Sequence, residues 1–260
     1  CVTFPCSMVD RITPRSTDTL QRDVESLFGV SPIAPVMAED FLQWVVEDNF
    51  AGERPNLSEV GVTFTKNVDP YEEAKIRILN GGHTCLTYLG ALAGHHTFDQ
   101  AMTDPVLFAH FEEFERNEVL PALTETLPFD KSEYLDQIIA RFKNASICDT
   151  VERICADGFL KFPIFIQPTL LGCFLQGILP RAGLRSIASW YVFCKHIEAG
   201  KLPIKYAEPY WNNIQVLLSD DQLEAFASSA SLWGEIPQKY PEFTPKLMAA
   251  IREMDMKWPV

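Results

Sequence analysis

The chain has 260 residues, is 47% hydrophobic and carries a formal net charge of −13. That length can bury a sizeable core in one or two domains. The acidic balance argues against nucleic acid or membrane as partners, since both favour a basic surface. Seven cysteines (Cys1, Cys6, Cys85, Cys148, Cys155, Cys173 and Cys194) are scattered with no C-x-x-C pair. They read as reduced thiols of a cytoplasmic protein rather than a disulfide framework or a zinc site, and no signal peptide opens the chain.

Residues 1–66 carry short β-like pieces at Val2–Phe4, Trp44–Val46 and Val60–Phe64, with one helix, Thr17–Phe28, among polar and turn-rich stretches. From Asp69 onward helical periodicity dominates, and the pattern predicts helices at about 69–94, 104–125, 131–145, 168–179, 183–198, 219–229 and 242–254. Asp69 reads as an N-cap with Pro70 as the first helical residue. Pro121 is placed to kink or end the second helix. Phe162–Pro180 is almost wholly apolar and about as long as a membrane span, but Pro163, Gln167, Pro168 and Gln176 interrupt it, so a buried helix starting near Pro168 is the expectation.

The stretch from Lys75 to His83 is the most informative. On an α-helix, taking Lys75 as zero, His83 sits at ~80° and Asn80 at ~140°, so a base, an amide and an imidazole can face one pocket. Such a trio suits removal of a proton from an alcohol or its delivery to a carbonyl. A helical lysine is ordinarily a solvated stem and a lone histidine ordinarily a satisfied core or surface group. Against that, the surroundings are apolar, and Gly81 and Gly82 sit mid-helix at about 1 kcal/mol each relative to alanine, as if something must approach the backbone. Of the five histidines only His95 and His96 are adjacent, and adjacent helical residues diverge by ~100°, so no catalytic metal is expected.

Lys75-x4-Asn80-x2-His83, inside Pro70-Tyr71-Glu72-Glu73-Ala74-Lys75, resembles the signature of the polyol-specific long-chain dehydrogenases, the mannitol dehydrogenase family. The resemblance continues in order through Phe4–Pro14, Gln43–Phe50 with Arg54-Pro55, Tyr88-Leu89-Gly90, Asp149-Thr150-Val151-Glu152-Arg153, Asp157-Gly158 and Lys161-Phe162-Pro163. It implies a mainly α fold: a multi-helical C-terminal domain preceded by a short mixed α/β segment. No Gly-x-Gly-x-x-Gly occurs, and Gly90-x-x-x-Gly94 lies within a helical pattern, where it reads as close packing. The Rossmann domain is therefore expected to be absent from this chain, which begins at Cys1 and reads as the C-terminal portion of a longer enzyme. Residues 1–66 would join or complete the missing cofactor domain and 67–260 would form the helical catalytic and substrate domain.

The family resemblance implies interconversion of a polyol and a ketose with NAD or NADP. Lys75 would be the general acid/base, Asn80 the donor to the reacting oxygen and His83 a substrate-orienting group, while Asp10, Arg153 and Lys161 match substrate-binding positions. The implied partners are a small polyol or sugar-acid substrate and the N-terminal Rossmann domain. The cofactor-binding residues are unknown and would lie mainly outside this chain, which alone would be inactive. Two rival readings remain: a hexuronate (fructuronate or tagaturonate) reductase of the same family, and a non-catalytic helical binding domain.

Overall fold

In the computed structural model, which describes residues 2–31 and 33–260, a small sheet and one helix precede a helical domain. Cys1 lies outside the described residues. Strand β1 (Ser7–Asp10) pairs antiparallel with β2 (Gln43–Glu47), and β2 pairs parallel with β3 (Thr63–Thr65), which leaves β2 central. The β-like piece at Val2–Phe4 forms no strand, and only the end of Val60–Phe64 does. Phe4 is 86% exposed, so it has no apolar face to pair against. Helix α1 (Asp18–Phe28) follows the sequence expectation: Thr17 Oγ1 accepts from the Leu20 amide at its start, and Gly29 closes it in the left-handed region at φ 62°.

The helical domain begins with α2 (Asp69–Ala74), a π turn (Lys75–Asn80) and α3 (Gly81–Leu92), which run on without a break. Val68, not Asp69, is the N-cap here. Asp69 stands one place inside the helix with Pro70 behind it, where its carboxylate still meets the positive helix end. Next come α4 (Phe98–Thr103), missed by periodicity because it is only six residues long, and α5 (Pro105–Phe114), continued by a π turn (Glu115–Val119) and α6 (Leu120–Ala122). Pro121 lies in the last turn of that run, as its missing N–H requires. Helix α7 (Lys131–Phe142) is followed by the short α8 (Val151–Cys155).

The apolar stretch departs most from expectation. Its helix starts at Gly158, not near Pro168, and runs through α9 (Gly158–Lys161), a π turn (Phe162–Ile166) and α10 (Gln167–Leu175). Pro163 falls inside the π turn and Pro168 at the first turn of α10, positions where the widened or starting helix tolerates a missing donor. By length and composition this run could span a bilayer. Phe162, Ile166, Leu170 and Phe174 nevertheless pack into the protein core, while Leu160, Ile164 and Leu175 face outward.

Helix α11 (Arg181–Glu198) is the central element, with Trp190, Val192, Phe193 and Cys194 fully enclosed. It packs against α3 on one side and α16 (Phe243–Lys257) on the other. Between them lie α12 (Trp211–Gln215), α13 (Leu223–Ala227), α14 (Ala230–Trp233) and α15 (Ile236–Lys239), pieces too short for a periodic signal. One large core unites these helices, whereas Met8, Val45 and Val68 form a separate small cluster beneath the sheet.

Candidate active site

Lys75 and Asn80 are the first and last residues of the π turn. The Gly81 amide donates to the carbonyl of Ile76, five residues back. An i→i+5 repeat stacks Asn80 over Lys75 roughly as an i,i+4 pair stacks in an α-helix, about 40° apart instead of ~140°. His83 then lies one turn on, as the i+3 neighbour of Asn80. The π turn thus brings the three onto one face more closely than uniform α geometry allows.

Lys75, Asn80, His83, Asp10, Arg153 and Lys161 all line one cavity of about 320 Å³, although they come from stretches far apart in sequence. Val9–Thr13, the end of β1 and the chain after it, form one wall. Lys75 is half-buried and makes no hydrogen bond or ion pair with any described residue. The Asn80 Oδ1 atom is buried without a hydrogen-bond partner. The His83 ring stacks on Phe142 at 4.1 Å and meets Phe98 edge-on at 4.6 Å. Burial, and then the charges of Arg153, Lys161, Arg141 and Lys75, hold its pKa well below the usual imidazole range, so the ring is neutral at physiological pH.

The other three residues are more constrained than their spacing revealed. Arg153 lies on α8, whose first turn is capped by Thr150 Oγ1, and its Nε and Nη2 both bond the buried carboxylate of Asp149, four residues earlier. Lys161 Nζ donates to the Ile154 carbonyl at 2.7 Å, and burial lowers its pKa despite Asp157 nearby. Asp157 takes a left-handed conformation at φ 60°, and a Cβ on Gly158 would lie 2.5 Å from Trp190 Nε1 and 2.7 Å from the hydroxyls of Tyr206 and Tyr88. The Asp-Gly pair is therefore what lets α9 start against these aromatics and turn Lys161 back over α8.

Asp10 lines the cavity, but both its oxygens are taken by Arg141 at 2.8 Å. Arg141 also bonds both oxygens of Glu39 at 2.9 and 2.7 Å, and Glu39 receives the Ile12 amide. Asp10, Glu39 and Arg141 are all buried. This triad straps the Val9–Thr13 wall to α7, and sequence reading missed its other two members. Asp149 stood inside a recognised stretch at helical spacing from Arg153 and could have been found there, but Glu39 and Arg141 carry no local signal.

Gly81 and Gly82 do permit a close approach, though what approaches is protein. A Cβ on Gly82 would lie 2.8 Å from Phe111 Cε2 and 2.9 Å from Glu115 Oε1, and one on Gly81 would lie 3.2 Å from the Phe165 carbonyl. Gly90 likewise admits the Ala101 side chain. Among the described residues no group of three or more His, Cys, Asp or Glu is placed to hold a metal ion.

Comparison with known proteins matches residues 67–255 to the mannitol dehydrogenase C-terminal domain and residues 1–59 to the mannitol dehydrogenase Rossmann domain. The chain belongs to the mannitol dehydrogenase family. It is 39% identical to D-arabinitol 4-dehydrogenase of Ralstonia nicotianae over 238 residues, covering 90% of this chain and 51% of that protein. It is 38% identical to mannitol 2-dehydrogenase of Cereibacter sphaeroides, over 82% of this chain and 45% of that one. Mannitol 2-dehydrogenase of Pseudomonas fluorescens, solved as a ternary complex with NAD and D-mannitol, superposes with a TM-score of 0.89 at 33% identity, over 98% of this chain and 52% of that one. The chain spans about half the length of the relatives it matches. Its mainly α architecture is that of the family's C-terminal domain.

Proposed function

We propose that this chain supplies the substrate-binding and proton-transferring half of an NAD(P)-dependent dehydrogenase that interconverts a polyol and a ketose. The observation that carries the reading is the cavity: an unpaired half-buried lysine, an amide with an orphaned oxygen and a neutral imidazole share it with Arg153 and Lys161. A buried acceptor without a partner costs about 1–3 kcal/mol, so Asn80 Oδ1 calls for a donor from outside the chain, such as a hydroxyl-rich substrate. The relatives are named for mannitol and arabinitol, and the solved neighbour holds NAD and D-mannitol.

In the oxidative direction Lys75 Nζ takes the proton of the reacting hydroxyl. The Asn80 amide donates to that oxygen as it gains negative charge, and His83, uncharged, orients the neighbouring hydroxyl. Arg153, fixed by Asp149, and Lys161, fixed by the Ile154 carbonyl, hold the remaining hydroxyls. Asp10 positions the wall through Arg141 rather than meeting substrate with a free carboxylate. A bound nicotinamide supplies the hydride acceptor or donor. β2 and β3 are parallel, but the segment joining them has no glycine-rich turn leading into an α-helix, so no residue here is assigned to the pyrophosphate. The apolar side chains exposed on residues 2–60, among them Phe4, Leu27, Phe28 and Trp44, suit docking against the rest of a Rossmann-type unit. Buried free thiols at Cys85, Cys155, Cys173 and Cys194 suit a reducing cytoplasm.

In the full-length enzyme Lys75→Ala removes most turnover while NADH affinity stays nearly unchanged. Asn80→Ala lowers kcat by roughly 10²–10³. A rise in KM alone for Asn80→Ala would overturn its transition-state role. A second reading, a hexuronate reductase, is favoured by one observation: Arg11, Lys75, Arg153 and Lys161 line the cavity, while its one acidic group, Asp10, is already paired. Parallel assays with mannitol, arabinitol, fructuronate and tagaturonate separate the two.

A further inference from the structure

A second cavity, about 640 Å³ and twice the size of the first, lies between α5, the start of α11 and α16. Leu107, Leu184 and Met254 give it an apolar floor and Trp258 an aromatic side. Volume and lining are those of a small-molecule site, in which a few placed polar groups act against a mostly apolar surface.

The polar groups have one dominant sign. Arg181, Arg185, Lys246 and Lys257 line the cavity against only Glu113 and Glu253, in a chain whose net charge is −13. Arg185 is held from behind. Its Nη1 meets His110 Nδ1 at 3.1 Å and Glu113 Oε2 at 3.1 Å, while Nε and Nη2 bond no described residue. That free edge is the fork that grips a carboxylate or a phosphate through two parallel hydrogen bonds. His110 is itself buried, with Nε2 against Ser186 Oγ at 3.1 Å, and burial followed by the Arg185 charge pushes its pKa down to about 3. It therefore stays neutral and accepts from Arg185, which stiffens the fork rather than repelling it. Arg181, Lys246 and Lys257 have no acidic partner within ion-pair distance among the described residues, and Lys257 Nζ rests over the Trp258 ring at 4.2 Å.

We propose that this cleft binds a small amphipathic organic anion, its carboxylate or phosphate head on Arg185 and its apolar body against Leu184, Met254 and Trp258. The site is separate from the Lys75 cavity and does not depend on the redox reading. The test uses the full-length protein with ¹³C-methyl methionine labelling, titrated with hexanoate, hexyl phosphate, inorganic phosphate and hexanol, following the Met254 methyl resonance. The expected result is saturable displacement of that resonance by hexanoate or hexyl phosphate, with hexanol at least about tenfold weaker, since loss of a charged hydrogen-bonding head is worth more than 1.4 kcal/mol. The relative response to hexanoate and hexyl phosphate tells which head group is preferred. The exposed double variant Arg181→Ala/Lys257→Ala keeps the fold, as the methionine spectrum shows, and weakens binding several-fold. Arg185→Lys, which retains the charge but loses the fork, weakens it further. The proposal is overturned if neither anion saturates Met254 below about 10 mM, if hexanol binds equally well, or if inorganic phosphate alone binds as tightly as hexyl phosphate.

Discussion

Replacing Arg141 by methionine tests whether the buried triad holds the cavity wall. Arg141 donates four hydrogen bonds of 2.7–2.9 Å to two carboxylates that are 1% and 3% exposed. Burial opposes its charge, but the bonds to Asp10 and Glu39 outweigh burial and raise its pKa above the usual guanidinium range. Arg141→Met leaves two buried carboxylates side by side with no cation. Removing one member of such a group costs roughly 3–5 kcal/mol, so the loss here is expected at the upper end of that range. Urea unfolding followed by circular dichroism measures this. The neutral triple variant Asp10→Asn/Glu39→Gln/Arg141→Met should recover most of the loss. A cost below about 1 kcal/mol for Arg141→Met, or a triple variant no more stable than the single one, refutes the strap.

Gly82→Ala gains ~1 kcal/mol of helix propensity but drives a methyl group against Phe111 and Glu115, an overpacking cost of ~1–3 kcal/mol. The net expectation is a lowered melting temperature, with a shifted His83 ring resonance because the displaced contact includes Phe142, which is stacked on His83. Glu118 accepts the amides of Ala182 and Gly183 at the start of α11, and burial raises its pKa to about 7. A folded pKa raised from 4.5 gives a stabilisation that is complete below the unfolded value and lost as pH climbs from 4.5 through 7, on the order of 3 kcal/mol. Glu118→Gln should flatten the stability profile across that window, and an unchanged slope would show that another group is responsible.

The sequence was most readable where chemistry is local. The long helices are marked by period, α1 by the pattern over Thr17–Phe28, and the candidate site by a short ordered motif on one helix. Illegible parts fall into two kinds. Helices such as α4, α8 and α12 complete at most two turns and take their stability from tertiary packing, so no periodic face marks them. Charges such as Glu39 and Arg141 meet across 102 residues, and nothing near either in sequence names the other. Asp10 shows the consequence: family resemblance marks it as a substrate-binding position, but only the fold reveals that its carboxylate is already committed to an arginine.

The three π turns among the described residues bear on both the legibility and the chemistry. Each falls within a continuous helical run, at 75–80, 115–119 and 162–166, and the first turn touches the other two. A hydrophobic period of 3.6 passes through such a turn with a phase slip of one residue, which is why the predicted angle between Lys75 and Asn80 was too wide. A π turn sacrifices regular hydrogen bonding, so it persists only where packing or function compensates. At 115–119 and 162–166 packing gives sufficient reason, since Glu115 fits against Gly82 and Pro163 needs relief from an i−4 carbonyl. At 75–80 there is no proline to accommodate. The compensation evident there is the shared cavity, into which the slip brings a lysine and an amide that an unbroken α-helix would point ~140° apart.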